Sequence, residues 1–186
     1  MMRILAGLML ALLLSACATP LSLDHGRLAP PPGTGYVIAA VTLDSLNHRN
    51  ADAGICLRGP ARATCLESQI SLGYIRAPGD EPDGVGSLHV VALPAGQYRV
   101  TEIYGSWLDD SFRWMAFRNR ASFALDERFT LAPGQVVYLG DYHISLNFKP
   151  SYTRSDTRRR DFNDLRLRSS VQDFSNVTLL PVPTPK

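Results

Sequence analysis

Gln135-Val136-Val137-Tyr138-Leu139-Gly140-Asp141-Tyr142-His143-Ile144-Ser145-Leu146-Asn147-Phe148 carries the clearest period in this 186-residue chain. Val136, Tyr138, Tyr142, Ile144, Leu146 and Phe148 share one parity, while Asp141, His143, Ser145 and Asn147 take the other. Successive side chains on a strand point to opposite faces, so the period predicts one buried and one wet face. Gly140 interrupts the apolar parity at mid-strand, which predicts a bulge or a bend where another backbone comes close. On this parity His143 is a surface histidine rather than a base.

Working outward, Phe123 to Leu131 reads as a strand ending at the corner Ala132-Pro133-Gly134. A similar corner, Pro94-Ala95-Gly96, separates Leu88–Leu93 from Tyr98, Val100 and Tyr104. Pro and Gly together do not sit inside a paired strand, so this corner predicts a hairpin. Tyr36 to Leu43 is rich in β-formers, and Ile70, Leu72 and Tyr74 alternate. Several strands divided by such corners, with no helical period between them, predict an all-β fold, an antiparallel β-sandwich over residues 36–150. Residues 151–186 form an arginine-rich extension that reads two ways. Asp156 can cap a helix through Arg158, Phe162 and Leu165, or Leu165–Arg168 can alternate as an edge strand. Pro181, Pro183 and Pro185 end regular structure.

Leu93-Pro94-Ala95-Gly96-Gln97-Tyr98 resembles the Leu-Pro-x-Gly-x-Tyr corner of prealbumin-like, carboxypeptidase-regulatory-like β-sandwich domains. Leu131-Ala132-Pro133-Gly134-Gln135-Val136-Val137-Tyr138-Leu139-Gly140 is similar to the matching corner and strand in small bacterial lipoproteins of that type. The resemblance covers residues 35–150 and implies a fold; this architecture hosts many unrelated roles.

The amino-terminal segment has the layout of an export signal: Met1-Met2-Arg3 is a short positive start, and Ile4 to Leu14 is an unbroken run of apolar residues and Gly. That run is too short for a membrane-spanning helix, which needs about 20 residues. Leu14-Ser15-Ala16-Cys17 resembles the lipobox of bacterial lipoproteins. The resemblance implies cleavage before Cys17, a diacylglycerol thioether on its sulfur, acylation (palmitate) of the new amino terminus and, with Ala18 next, transfer to the outer membrane facing the periplasm. Membrane lipid is then the first partner, since two or more buried acyl chains hold a protein firmly. Residues 1–16 are the expected signal peptide. Residues 17–35, with Pro20, Pro30, Pro31, Pro32 and Gly33, read as a lipidated cysteine followed by an extended tether.

Setting Cys17 aside leaves Cys56 and Cys65, an even pair in an oxidising compartment, which predicts a disulfide. Chain entropy gives such a short loop about 2.5–3 kcal/mol. Metal binding is disfavoured: there is no Cys-x-x-Cys, and His25, His48, His89 and His143 lack ligand spacing. The net charge of +2 gives no basis for binding nucleic acid, and no cofactor is implied.

Catalytic signatures are missing from the sequence, including the Gly-x-Ser-x-Gly elbow, His-Glu-x-x-His and the phosphate loop. Asp109-Asp110 and Asp126-Glu127 are adjacent acids that read as turn residues, and neighbours on a strand cannot face one substrate. Trp107, Phe112, Trp114 and Phe117, interleaved with Arg113, Arg118 and Arg120, are a candidate binding surface, because aromatic faces and guanidinium groups stack on sugars and peptides. Core packing accounts for them more simply. Arg154, Arg158, Arg159, Arg160, Arg166 and Arg168 could meet phosphates or an acidic envelope protein. Asp156, Asp161 and Asp164 among them favour a solvated mixed-charge face. The expectation is a non-enzymatic, lipid-anchored interaction or structural module. An envelope hydrolase built on distant carboxylates and an accessory subunit of a secretion or surface-appendage complex are the alternatives.

Overall fold

The computed structural model describes residues 21–46, 50–112 and 115–182 and is mainly β. One sheet has the order β11 (Ser151–Ser155), β10 (Val136–Ser145), β3 (Thr34–Asp44), β7 (Glu81–Pro94), β6 (Tyr74–Ala77). A short β12 (Val177–Leu179) pairs with β10 beside β11. The second sheet has the order β5 (Ala63–Gln69), β4 (Ala51–Arg58), β8 (Gly96–Phe112), β9 (Met115–Leu131). Val37, Val41, Leu139 and Ile144 of the first sheet and Ile55, Leu57, Val100 and Ile103 of the second enclose one apolar core.

Hairpins alternate between the two sheets. β4–β5 and β8–β9 belong to the second, β6–β7 and β10–β11 to the first. The expected hairpin across Pro94-Ala95-Gly96 is therefore corrected: β7 and β8 are consecutive but lie in different sheets. Both Pro-Gly corners do the same job, since Ala132-Pro133-Gly134 carries the chain from β9 back to β10. Pro and Gly deny the corner a continued ladder, and that lets the strand leave its sheet. Tyr98 locks the first corner: its hydroxyl donates to the Pro94 carbonyl at 2.7 Å and its ring stacks on Phe129 at 5.5 Å. Tyrosines bonded back to a corner brace other β-sandwiches in the same way. The sheets are not purely antiparallel, because β3 and β10 run parallel, from Tyr36 beside Val136 to Asp44 beside Ser145.

Gly140 is the expected bulge. The register between β10 and β3 shifts between Tyr138 and Asp141, and Gly140 adopts φ +98°. A Cβ there would stand 2.7 Å from the Ser155 carbonyl oxygen. The bulge also corrects the expectation of one wet face. An extra residue reverses parity, so Val136 and Tyr138 face outward while Tyr142, Ile144 and Leu146 face the inter-sheet core. Val136 through Tyr142 are buried without interruption, and Phe148 is 96% exposed.

The outer side of β10 and β3 is covered by a second apolar cluster, in which Tyr36, Ile38, Val136 and Tyr138 meet Leu28, Leu165 and Val171. Leu28 belongs to a small hairpin, β1 (Leu23–Asp24) and β2 (Arg27–Leu28), and Leu21 and Leu23 pack on the same cluster. The expected tether is corrected accordingly: from Leu21 the chain is part of the folded body, since each of these leucines removes apolar surface from water. Leu165 belongs to helix α1 (Arg158–Ser169), which decides between the two readings of the extension in favour of a helix. Thr157 takes the N-cap position, and Asp156 accepts a hydrogen bond from the Arg158 amide at 3.2 Å.

Gly140→Ala is expected to lower stability by about 2 kcal/mol or more, combining left-handed strain with the clash at Ser155. Gly134→Ala, at φ +75° in open space, isolates the strain alone at about 1 kcal/mol. Urea unfolding of both variants makes the comparison, and equal losses would contradict the packing account of the bulge.

Candidate functional site

The arginines of the extension do not form one face. Arg158 is exposed and pairs with Asp156 at 3.3 Å, and Arg159 is exposed beside a shallow hollow of about 340 Å³ that Ala77, Pro78 and Asp83 also line. Arg160 turns inward and is only 8% exposed. The solvated-face reading is therefore corrected for Arg160, Asp161 and Asp164, which the packing of α1 on β10 and β6 encloses.

Arg160 joins two buried carboxylates. Its Nε lies 2.8 Å from Asp161 Oδ1 and its Nη2 3.1 Å from Asp141 Oδ2, with the more exposed Asp83 at 3.7 Å. Asp161, fully enclosed, also accepts from the Tyr138 hydroxyl at 2.6 Å and the Thr157 hydroxyl at 2.9 Å. Burial pushes the Asp161 carboxyl above the usual carboxylate range, and the Arg160 charge and the Tyr138 hydrogen bond pull it back. Burial alone would weaken the hold of Arg160 on its proton, but Asp161 and Asp141 keep it above the ordinary value. Both shifts are upward but for opposite reasons: burial prevails at Asp161, the more enclosed group, whereas at Arg160 the two carboxylates outweigh it. Burial, followed by the charge of Asp161, raises the Tyr138 hydroxyl far above its normal range.

From Asp141 the network continues along the sheet. The Thr42 hydroxyl donates to Asp141 Oδ1 at 2.8 Å and lies 3.0 Å from His143 Nδ1, while His143 Nε2 lies 3.1 Å from Asp44 Oδ1. Ser145 and Asn147 also donate to Asp44. Hydroxyl, imidazole and carboxylate thus stand in a line that resembles a nucleophile, its base and an orienting acid. The likeness stops at the hydroxyl, because Thr42 is buried and Asp141 takes its single proton. His143, expected as a plain surface residue, is half-buried and bridges β3 to β10.

A second polar node sits at the bulge. Arg154 donates to the Leu139 carbonyl through Nε at 2.8 Å and Nη2 at 2.6 Å, and its Nη1 pairs with Glu127 at 2.8 Å. The Tyr142 hydroxyl donates to the same Glu127 at 2.7 Å. Asp126 and Glu127, expected in a turn, lie within β9 and point to opposite faces: Glu127 turns inward and Asp126 to solvent. Asp109 likewise lies within β8.

The outer face of the four-stranded sheet is the other polar surface. Cys56 and Cys65 are register partners on β4 and β5 and form the expected disulfide. Trp107 is half-buried against the inter-sheet core, while Arg118 pairs with Asp52 and Arg120 lies 4.5 Å over the Tyr104 ring and pairs with Glu102. The candidate aromatic surface is thus divided between the two faces of one sheet. Arg113, Trp114 and Cys17 lie outside the described residues. One constellation escapes sequence reading: Arg58 on β4, Arg99 on β8 and Arg128 on β9 are successive register partners, a row of three guanidinium groups across adjacent strands. The usable signal lay in the corners, because Gly96 pairs with Leu131 and both arginines stand three residues further along the ladder.

No protein-family model, curated protein or solved structure matches the chain. Among the described residues no group of three or more His, Cys, Asp or Glu side chains could hold a metal ion, and no helix is long and apolar enough to cross a membrane.

Arg160→Met is expected to cost about 3–5 kcal/mol, because it leaves Asp141 and Asp161 buried without their cation. Adding Asp141→Asn and Asp161→Asn removes the stranded charges and should recover a large part of that loss. Denaturant unfolding of the single and triple variants checks this, and a loss under about 1 kcal/mol for the single variant would refute a buried ionic role.

Proposed function

We propose that the chain is an outer-membrane lipoprotein, held by acyl chains on Cys17 and facing the periplasm, whose β domain is a prealbumin-like sandwich acting as a non-enzymatic interaction module. The observation that carries this reading is the leader: a positive start and an apolar run end at Leu14-Ser15-Ala16-Cys17. Two features of the folded part support it. The Cys56–Cys65 disulfide suits an oxidising compartment. The polar groups around Arg160 and Thr42 are engaged with one another, which suits a structural role. The corner residues Leu93-Pro94-Ala95-Gly96-Gln97-Tyr98 support the prealbumin-like assignment through the Tyr98–Pro94 brace.

A hydrolase reading would draw on Thr42, His143 and Asp44. The burial of the Thr42 hydroxyl and its bond to Asp141 weigh against attack on a substrate.

Cys17→Ala is the deciding variant. Cells labelled with radioactive palmitate should incorporate label into the native chain and none into the variant, and the variant should leave the outer-membrane fraction. Equal labelling of both, or full membrane retention of the variant, would overturn the anchor.

A further inference from the structure

We infer that the row Arg58, Arg99 and Arg128 is a binding site for lipid headgroup phosphates, which seats the anchored domain on the membrane surface with this end of the sheets facing the bilayer. The inference rests on the reading of the chain as a lipid-anchored module and adds an orientation and a ligand chemistry to it.

Three observations carry it. The first is the row itself. Like charges opposite one another on neighbouring strands repel and weaken a sheet, yet three arginines occupy one rung across β4, β8 and β9. Among the described residues Asp126 is the one carboxylate bonded into the row, at 3.5 Å from Arg99 and 3.0 Å from Arg128, and Arg128 holds its carboxyl below the ordinary range. Arg58 has no ion pair among the described residues, so the row keeps an excess of cationic charge.

The second is shape. The row lines an open trough of about 740 Å³, with Gln97 and Thr130, themselves register partners, on its polar wall. Guanidinium groups grip phosphate oxygens with paired hydrogen bonds, and a hydroxyl and an amide beside them supply further donors.

The third is location. Tyr98 lines both this trough and a neighbouring hollow of about 560 Å³, in which Leu21 and Arg62 also take part. Leu21 is four residues from Cys17, a span of about 14 Å at most. An acylated Cys17 therefore brings this end of the molecule against the headgroups, with Arg62 in the neighbouring hollow. Anionic lipid attracts each arginine near the surface strongly enough to shift an equilibrium by about fivefold.

The test uses the mature chain purified from bacterial membranes and reconstituted into nanodiscs of phosphatidylcholine, with or without phosphatidylglycerol. Amide hydrogen exchange is followed at residues 58–59, 97–99 and 128–130. Phosphatidylglycerol is expected to slow exchange there by about fivefold, and Arg58→Gln/Arg128→Gln should abolish the difference. Because the variant relieves like-charge repulsion, its melting temperature should match or exceed the parent's, which separates lost binding from lost folding. Equal exchange in the two lipids, protection that survives in the variant, or protection reproduced by inorganic phosphate over phosphatidylcholine alone would each overturn the proposal. Retention of the chain on nanodiscs reports the anchor, and local protection reports the row, so the two can fail separately.

Discussion

One extra residue in β10 organises the molecule. Without the bulge at Gly140, Tyr142 and Ile144 would share the outward face of Val136 and Tyr138 and be lost to the inter-sheet core. The bulge moves the even positions from one face to the other: Val136 and Tyr138 seal the outer cluster beneath α1, while Val137 and Leu139 before it and Tyr142 and Ile144 after it seal the space between the sheets. A bulge leaves backbone groups off the ladder, and a buried unpaired carbonyl costs about 1–3 kcal/mol. Arg154 meets that need at Leu139 and ties the bulge to β9 through Glu127.

The two arginine-rich regions are opposite solutions to placing charge. Around Arg160 each cation faces anions and each oxygen has a donor, so the buried network holds α1 in one position on the sheet. Such networks add little net stability over apolar packing and are costly to break. Along Arg58, Arg99 and Arg128 the cations outnumber their acidic partner and stay open to solvent. Repulsion of that kind is tolerable at a surface, where water and salt screen it.

Much of the architecture was legible in the chain. The strand period, the Pro-Gly corners and the glycine bulge are local signals, and each lies where local geometry demanded it. Whether a corner closes a hairpin or crosses between sheets is not local: Pro94-Ala95-Gly96 is read the same way in both, and only the partners of β7 and β8 decide. The second buried face was hidden because Leu21, Leu23 and Leu28 are sparse and sit among prolines, so they resembled a linker. The arginine row was hidden for a related reason. Its members are 41 and 29 positions apart in sequence and become neighbours only through strand register.

The parallel pairing of β3 with β10 also constrains the order in which the molecule can assemble. Tyr36 finds Val136 only after the chain between them has been made, and β12 adds its rung at Val177–Leu179 later still. Hairpins such as β8–β9 close over short loops and can form early, whereas distant pairings bear the entropy of large loops and slow folding. The central strand pair, the most buried part of the molecule, is then among the last to be completed. A partly synthesised chain would hold loose hairpins with β3 still exposed, so that Val37 and Val41 stay uncovered until the last strands arrive.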